Sequence, residues 1–165
     1  MIRLVTLAVL ALALISTQVE ARSKRIHVTA EVVKQTIIGD PANPPQIGDR
    51  SITTVDLFDK NHTKVGIGTG VCTVVSVPEP AVDGEILLQC LLTAVFDKKG
   101  QITFGGLLPP PAVGAVGHLG VFGGTDDFRS ARGEVTLVVI APDLTQEATF
   151  DLEIDSERRH GKFTD

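Results

Sequence analysis

After Ser23 the chain alternates apolar and polar side chains at period two, and short clusters of Gly, Pro, Asn and Asp break the alternation again and again. The breaks are Gly39–Pro45, Asp59–His62, Pro78–Gly84, Lys98–Gly100 and Pro109–Gly117. Period two places alternate side chains on opposite faces of a strand, and Gly, Pro, Asn and Asp supply the turns between strands. The pattern predicts strands near 25–38, 50–58, 64–77, 84–96, 100–107, 117–123, 133–141 and 147–155. No segment of this region carries a long apolar stripe at helical spacing; Gly123 to Arg132 leave room for one helical turn. So many short strands in one domain predict an all-β fold. The first expectation is an eight-stranded antiparallel β-barrel, with a two-sheet sandwich as the alternative. Closure removes the strand edges that invite aggregation.

The segment before the strands has a different character. Arg3 is followed by an apolar run from Leu4 to Ile15, broken only by Thr6, and then by Ser16-Thr17-Gln18 and Val19-Glu20-Ala21. About a dozen apolar residues fall short of the roughly 20 that span a membrane. Residues 1–21 therefore read as a signal peptide, with an uncleaved anchor as the alternative. The expected domain is 22–155, with a polar tail at 156–165. Such a chain is expected to be secreted, free of the membrane after cleavage, into a compartment where disulfides persist.

Composition narrows the function classes. Net charge is −5, and the chain has seven Phe but no Trp or Tyr. No basic block lies outside the termini, which argues against a nucleic-acid binder. The histidines His27, His62, His118 and His160 form no metal-binding spacing. No metal and no cofactor is expected. Asn61-His62-Thr63 is a glycosylation sequon on an expected hairpin tip, usable at Asn61 in a eukaryotic secretory pathway.

The hairpin around Pro78–Gly84 constrains its own register. Cys72 and Cys90 are equidistant from position 81, so a symmetric hairpin sets them opposite each other, close enough for a disulfide. Two buried free thiols are the alternative. The same register pairs Gly70 with Leu92, Val74 with Leu88 and Ser76 with Ile86 on one face, taken as the interior. The other face carries Val71, Val75, Val77, Leu87 and Leu91, and is itself apolar enough to suggest subunit packing.

The stretch Gly123-Gly124-Thr125-Asp126-Asp127-Phe128-Arg129-Ser130-Ala131-Arg132-Gly133 resembles the late motif GGTGxFxxARG of the dirigent family, with Asp126 where that family usually has Gly. Gly66-Ile67-Gly68-Thr69-Gly70-Val71-Cys72 is similar to the motif GITAGLC of the related plant allene oxide cyclases. Gly48-Asp49, Val77-Pro78-Glu79 and Gly100–Gly106 follow the same order. The resemblance implies an eight-stranded antiparallel barrel, open at one end and usually a homotrimer. It also implies one of two activities. Allene oxide cyclases isomerise an unstable epoxide; dirigents bind phenolic radicals made by a separate oxidase and steer their coupling.

The cyclase residues carry over incompletely. Cys72 matches, but the pocket tyrosine falls near Leu108, the pocket asparagine near Val55 or Asp56, and a first-strand Glu only near Glu31. The dirigent resemblance places an acid at Asp127, an Arg at Arg132 and the Asp of an early V-x-D stretch at Asp56. Such a set would transfer a proton and hold an anionic oxygen. An ion pair between Asp127 and Arg132 that merely fixes the turn is the structural alternative. The expected function is a secreted dirigent-like barrel that binds a small hydrophobic or phenolic molecule and directs the stereochemistry of its coupling or cyclisation. The alternatives are an isomerase or cyclase of a reactive lipid, terpenoid or polyketide intermediate, and a non-catalytic secreted interaction module.

Overall fold

Eight strands follow one another antiparallel, and the last pairs with the first to close a barrel. In chain order they are β1 (Ala21–Ile38), β2 (Arg50–Phe58), β3 (Lys64–Ser76), β4 (Leu87–Phe96), β5 (Gly100–Leu108), β6 (Val116–Gly124), β7 (Arg132–Val139) and β8 (Gln146–Asp155). One 3₁₀ turn, Asp126–Phe128, lies between β6 and β7. This computed structural model describes residues 21–40, 43–78 and 85–155. The expected signal segment up to Glu20, the polar tail 156–165 and the tip of the β3–β4 turn lie outside the described residues.

The expected barrel is present, and its strand ends refine the sequence reading. β1 starts at Ala21, where Ala21 opposes Asp155 and Arg22 opposes Ile154, four residues before the alternation becomes legible. Cys72 opposes Cys90, Gly70 opposes Leu92 and Val74 opposes Leu88, as the symmetric hairpin requires. A shift between Val74 and Ser76 then places Ser76 opposite Leu87 rather than Ile86. That irregularity lies on the turn side of the cysteines, so it leaves their pairing intact. Cys72 and Cys90 form a disulfide with a Cα–Cα distance of 4.1 Å.

The two ends of the barrel are built differently. At the end carrying the β2–β3, β4–β5 and β6–β7 connections, the interior is solid. Phe96 packs against Phe128 and Phe150 with ring centroids 5.5 and 5.7 Å away, and Phe104 meets Phe150 at 5.3 Å. Phe128, Phe150, Ile102 and Val135 are essentially inaccessible to solvent. Each such side chain contributes roughly 1.5–3 kcal/mol by burial. The Lys24 ammonium sits over the Phe128 ring, 4.7 Å from its centroid, and closes this end from β1.

The GGTDDFRSARG segment contributes Phe128 to this plug. Gly124 has Phe128 against it so closely that an added Cβ would lie 2.7 Å from the Phe128 Cβ. Gly133 takes φ +134°, and a Cβ there would fall 2.1 Å from the Asp151 carbonyl oxygen. A side chain at either position would push Phe128 or β8 outward. Ala131 is also buried. The motif that carries the family resemblance thus spends its Gly, Phe and Ala on packing.

Candidate functional site

At the opposite end, where β1–β2, β5–β6 and β7–β8 connect, the interior is hollow. The cavity there has a volume of about 540 Å³. Small-molecule sites typically enclose roughly 300–1,000 Å³. Its rim includes Gly39, Asp40, Asn43, Pro45 and Asp49 from the β1–β2 connection, Pro109–Pro111 after β5, and Leu144 before β8.

The wall divides by strand. Val74 on β3, Leu88 on β4, Leu108 on β5 and Leu137 and Val139 on β7 give an apolar side, together with the Cys72–Cys90 disulfide. Every polar side chain that lines the cavity from a strand comes from three adjacent strands: Gln146 on β8, Gln35 on β1, and Arg50, Ser51 and Thr53 on β2. The Gln35 side-chain amide donates to Ser51 Oγ at 3.0 Å, and Ser51 Oγ lies 3.4 Å from Thr53 Oγ1. Gln146 is half-buried, and its carboxamide has no hydrogen-bond partner among the described residues. Arg50 stands at the rim, along with Asp40 and Asp49. Asn43 donates to Asp40 Oδ2 at 2.7 Å, and the Gln46 amide donates to Asp49 Oδ2 at 2.8 Å.

A local irregularity creates the polar wall. Val28 and Ala30 point into the barrel, and strict alternation would continue the inward set through Val32 to Lys34. A bulge between Val32 and Lys34 shifts the phase, so Gln35 opposes Thr53 and Ile37 opposes Ser51 on the inside. At the rim, Leu144 takes φ +65°, a conformation a branched apolar residue adopts only when its surroundings impose it. The Thr145 amide donates to Asp143 Oδ1 at 3.0 Å, and the Ile140 amide to the Thr145 carbonyl at 2.9 Å, which pins the loop. Bonds from the Thr145 hydroxyl and amide also hold the Asp143 carboxyl below its usual range.

The three residues singled out in the sequence for acid–base work lie elsewhere, and the structure does not bring them together. Asp56 alternates with the inward Val55 and Leu57, so it faces outward, where Lys64 Nζ meets its Oδ1 at 2.6 Å. Arg132 does not pair with Asp127; it grips both carboxylate oxygens of Asp155 at 2.7 and 2.6 Å. The Asp155 amide in turn donates to Ser130 Oγ at 2.9 Å. Asp127 is exposed on the 3₁₀ turn at the plugged end. None of the three lines the cavity. Asn61 is exposed on the β2–β3 turn, as expected of a hairpin tip. His118 is exposed on the outer surface with Glu134 Oε1 at 3.0 Å.

Alternation alone would have sent Asp56 outward. Gln35, Ser51, Thr53 and Gln146 were missed because no spacing links them: Gln35 reaches Ser51 and Thr53 through the bulged β1–β2 register, and Gln146 joins them only when β8 closes onto β1.

Residues 26–152 match the family model described as "Allene oxide cyclase barrel like domain". The chain belongs to this allene oxide cyclase barrel-like family. Three solved structures share the barrel. A pyocyanin demethylase is 22% identical with a TM-score of 0.65, over 78% of this chain and 99% of that one. AbnU, an exo-specific intermolecular Diels-Alderase, is 20% identical with a TM-score of 0.67, over 81% and 99%. The pterocarpan synthase dirigent protein GePTS1 is 18% identical with a TM-score of 0.61, over 81% and 90%. At these identities the likeness establishes the shared barrel. A comparison with curated protein sequences finds no match.

Removing the disulfide tests how much the open end relies on it. The bridge closes a loop with a sequence separation of 18. Constraining such a loop in the unfolded chain is worth about 3 kcal/mol. The double variant Cys72→Ala/Cys90→Ala is expected to lose about that much in urea unfolding. Unchanged stability would mean that the paired strands alone hold this hairpin.

Proposed function

We propose that this is an exported barrel that takes a small hydrophobic or phenolic molecule into its open cavity and directs the stereochemistry of its coupling or cyclisation. The observation that carries the reading is the hollow end itself. An eight-stranded barrel is just wide enough for its own side chains to fill, and at the plugged end they do. At the other end about 540 Å³ stays open against a largely apolar wall.

Such a cavity promotes reaction by holding one reactive conformer and excluding others, which converts orientation entropy into rate. Amide and hydroxyl donors on the polar wall would polarise a ligand carbonyl without taking part covalently. The likeness to a Diels-Alderase and to a dirigent protein favours ring closure or coupling as the reaction class. For a phenolic ligand, the one-electron oxidation would come from a separate oxidase, as the dirigent resemblance implies. Export is supported by the leading apolar segment and by the disulfide.

The test is binding of prodan, a neutral naphthalene ketone whose emission shifts to the blue in apolar surroundings. The chain has no Trp or Tyr, so the probe is read against almost no intrinsic emission. One saturable site per chain with a blue shift is the expected result. Absence of saturable binding would contradict the proposal.

The trimer implied by the family resemblance has a surface that suits it. Ile52, Val71 and Leu91 form a transverse row on the outside of β2–β4, and Phe122 lies over Gly105 beside them. Phe122 is 65% exposed and Leu91 50%. The outside of β6–β8 and β1 is polar instead, with a row His118, Thr136, Thr149, His27. Sedimentation equilibrium is expected to give a trimer, dissociated by Leu91→Asp. A monomer at high concentration would refute this assembly.

A further inference from the structure

We infer that the ligand is uncharged and carries its oxygen atoms along one edge, with Gln146 as the residue that reads that edge. This rests on the cavity being the binding site, as proposed above. Inside the barrel the polar wall offers one amide–hydroxyl ladder, Gln35 to Ser51 to Thr53, and, across β1, the Gln146 carboxamide, which has no hydrogen-bond partner among the described residues. All four groups are neutral, and among the described strand residues that line the cavity the one cation is Arg50, exposed at the open end of β2. A carboxylate or phenolate drawn below the rim would lose its hydration with no cation to replace it. At the rim the single Arg50 is offset by Asp40 and Asp49.

A hydrocarbon would leave a different deficit. It would strip water from the Gln146 carboxamide and return no hydrogen bond, which is costlier than never having the polar group there. A ketone, quinone or neutral phenol satisfies both conditions. Its oxygens meet Gln146 and the ladder, while its carbon skeleton lies on Val74, Leu88, Leu108 and Val139. Those two walls also fix which face of a planar ligand turns toward the rim, the property a stereochemical guide needs.

Three probes of one shape separate the possibilities: 2-acetylnaphthalene, its hydrocarbon isostere 2-isopropenylnaphthalene, and 2-naphthoate, each titrated by calorimetry at pH 7.5. The ketone-to-hydrocarbon affinity ratio in the wild-type protein is expected to fall about tenfold in Gln146→Leu, a change of similar volume. Naphthoate is expected to bind at least about tenfold more weakly than the ketone. Retained hydrocarbon binding shows that the variant is folded; if it is lost, the same ratio is read in Gln146→Met. An unchanged ratio would overturn the role of Gln146. Naphthoate binding as tightly as the ketone would overturn the neutral-ligand assignment. If none of the three enters the wild-type protein, it is the cavity proposal that fails.

Discussion

Replacing Leu88 with Trp is expected to lower prodan affinity about 30-fold or more while leaving the protein folded. Leu88 stands on β4 beside the disulfide, facing the polar wall. An indole there occupies the apolar surface on which a bicyclic ligand would lie. Denying the ligand roughly 80 Å² of apolar contact costs about 2 kcal/mol, which is the 30-fold. The hollow has room for the larger side chain, so the overpacking cost of a filled core does not arise. The introduced Trp becomes the only one in the chain, and its emission reports folding directly. Undiminished prodan binding in a folded Leu88→Trp protein would place the probe elsewhere, with the apolar outer row around Leu91 as the obvious location.

Phe150→Ala, at the plugged end, is expected to act on stability instead. Phe150 is 1% exposed and touches both Phe96 and Phe104 edge to face. Truncating a buried Phe costs about 3–5 kcal/mol, because transfer energy is lost and a void remains that rigid neighbours fill poorly. For a domain of this size that lowers the melting temperature by roughly 10–20 °C. A loss below about 1 kcal/mol would mean that the plug is loose, which the nearly complete burial of Phe128 and Ile102 contradicts. The contrast with the open end is the point of the pair. One end holds the fold together, and the other is free to hold a ligand.

Much of this arrangement was legible in the residues. Period-two alternation and turn clusters gave the strands, and the symmetry of Cys72 and Cys90 about position 81 gave a register that the barrel keeps through Val74. Both readings rest on local geometry, which short sequence windows report well. The site was harder because it depends on phase and closure. A one-residue bulge after Val32 decides that Gln35, and not Lys34, faces inward. Nothing in the composition of that stretch marks the bulge. Gln146 joins the wall only through the pairing of β1 with β8.

The motif resemblance pointed to Asp56, Asp127 and Arg132 because family patterns mix residues that pack the barrel with residues that line it. In this chain Gly124, Phe128, Ala131 and Gly133 of that motif pack. Arg132 fastens the end of β8 through Asp155. On this geometry Asp127→Asn is expected to leave prodan affinity within about twofold of wild type; a larger loss would give the plugged end a part in binding that its contacts do not suggest.

The most direct test of the account is to locate a bound ligand by magnetisation transfer. With 2-acetylnaphthalene bound to methyl-labelled protein, nuclear Overhauser contacts are expected from the naphthalene protons to the methyls of Leu88, Leu108 and Val139. Contacts confined to Leu91, Leu107 and Ile52 on the outer surface would show that the hollow end is not where small molecules bind, and the proposed function would fall with it.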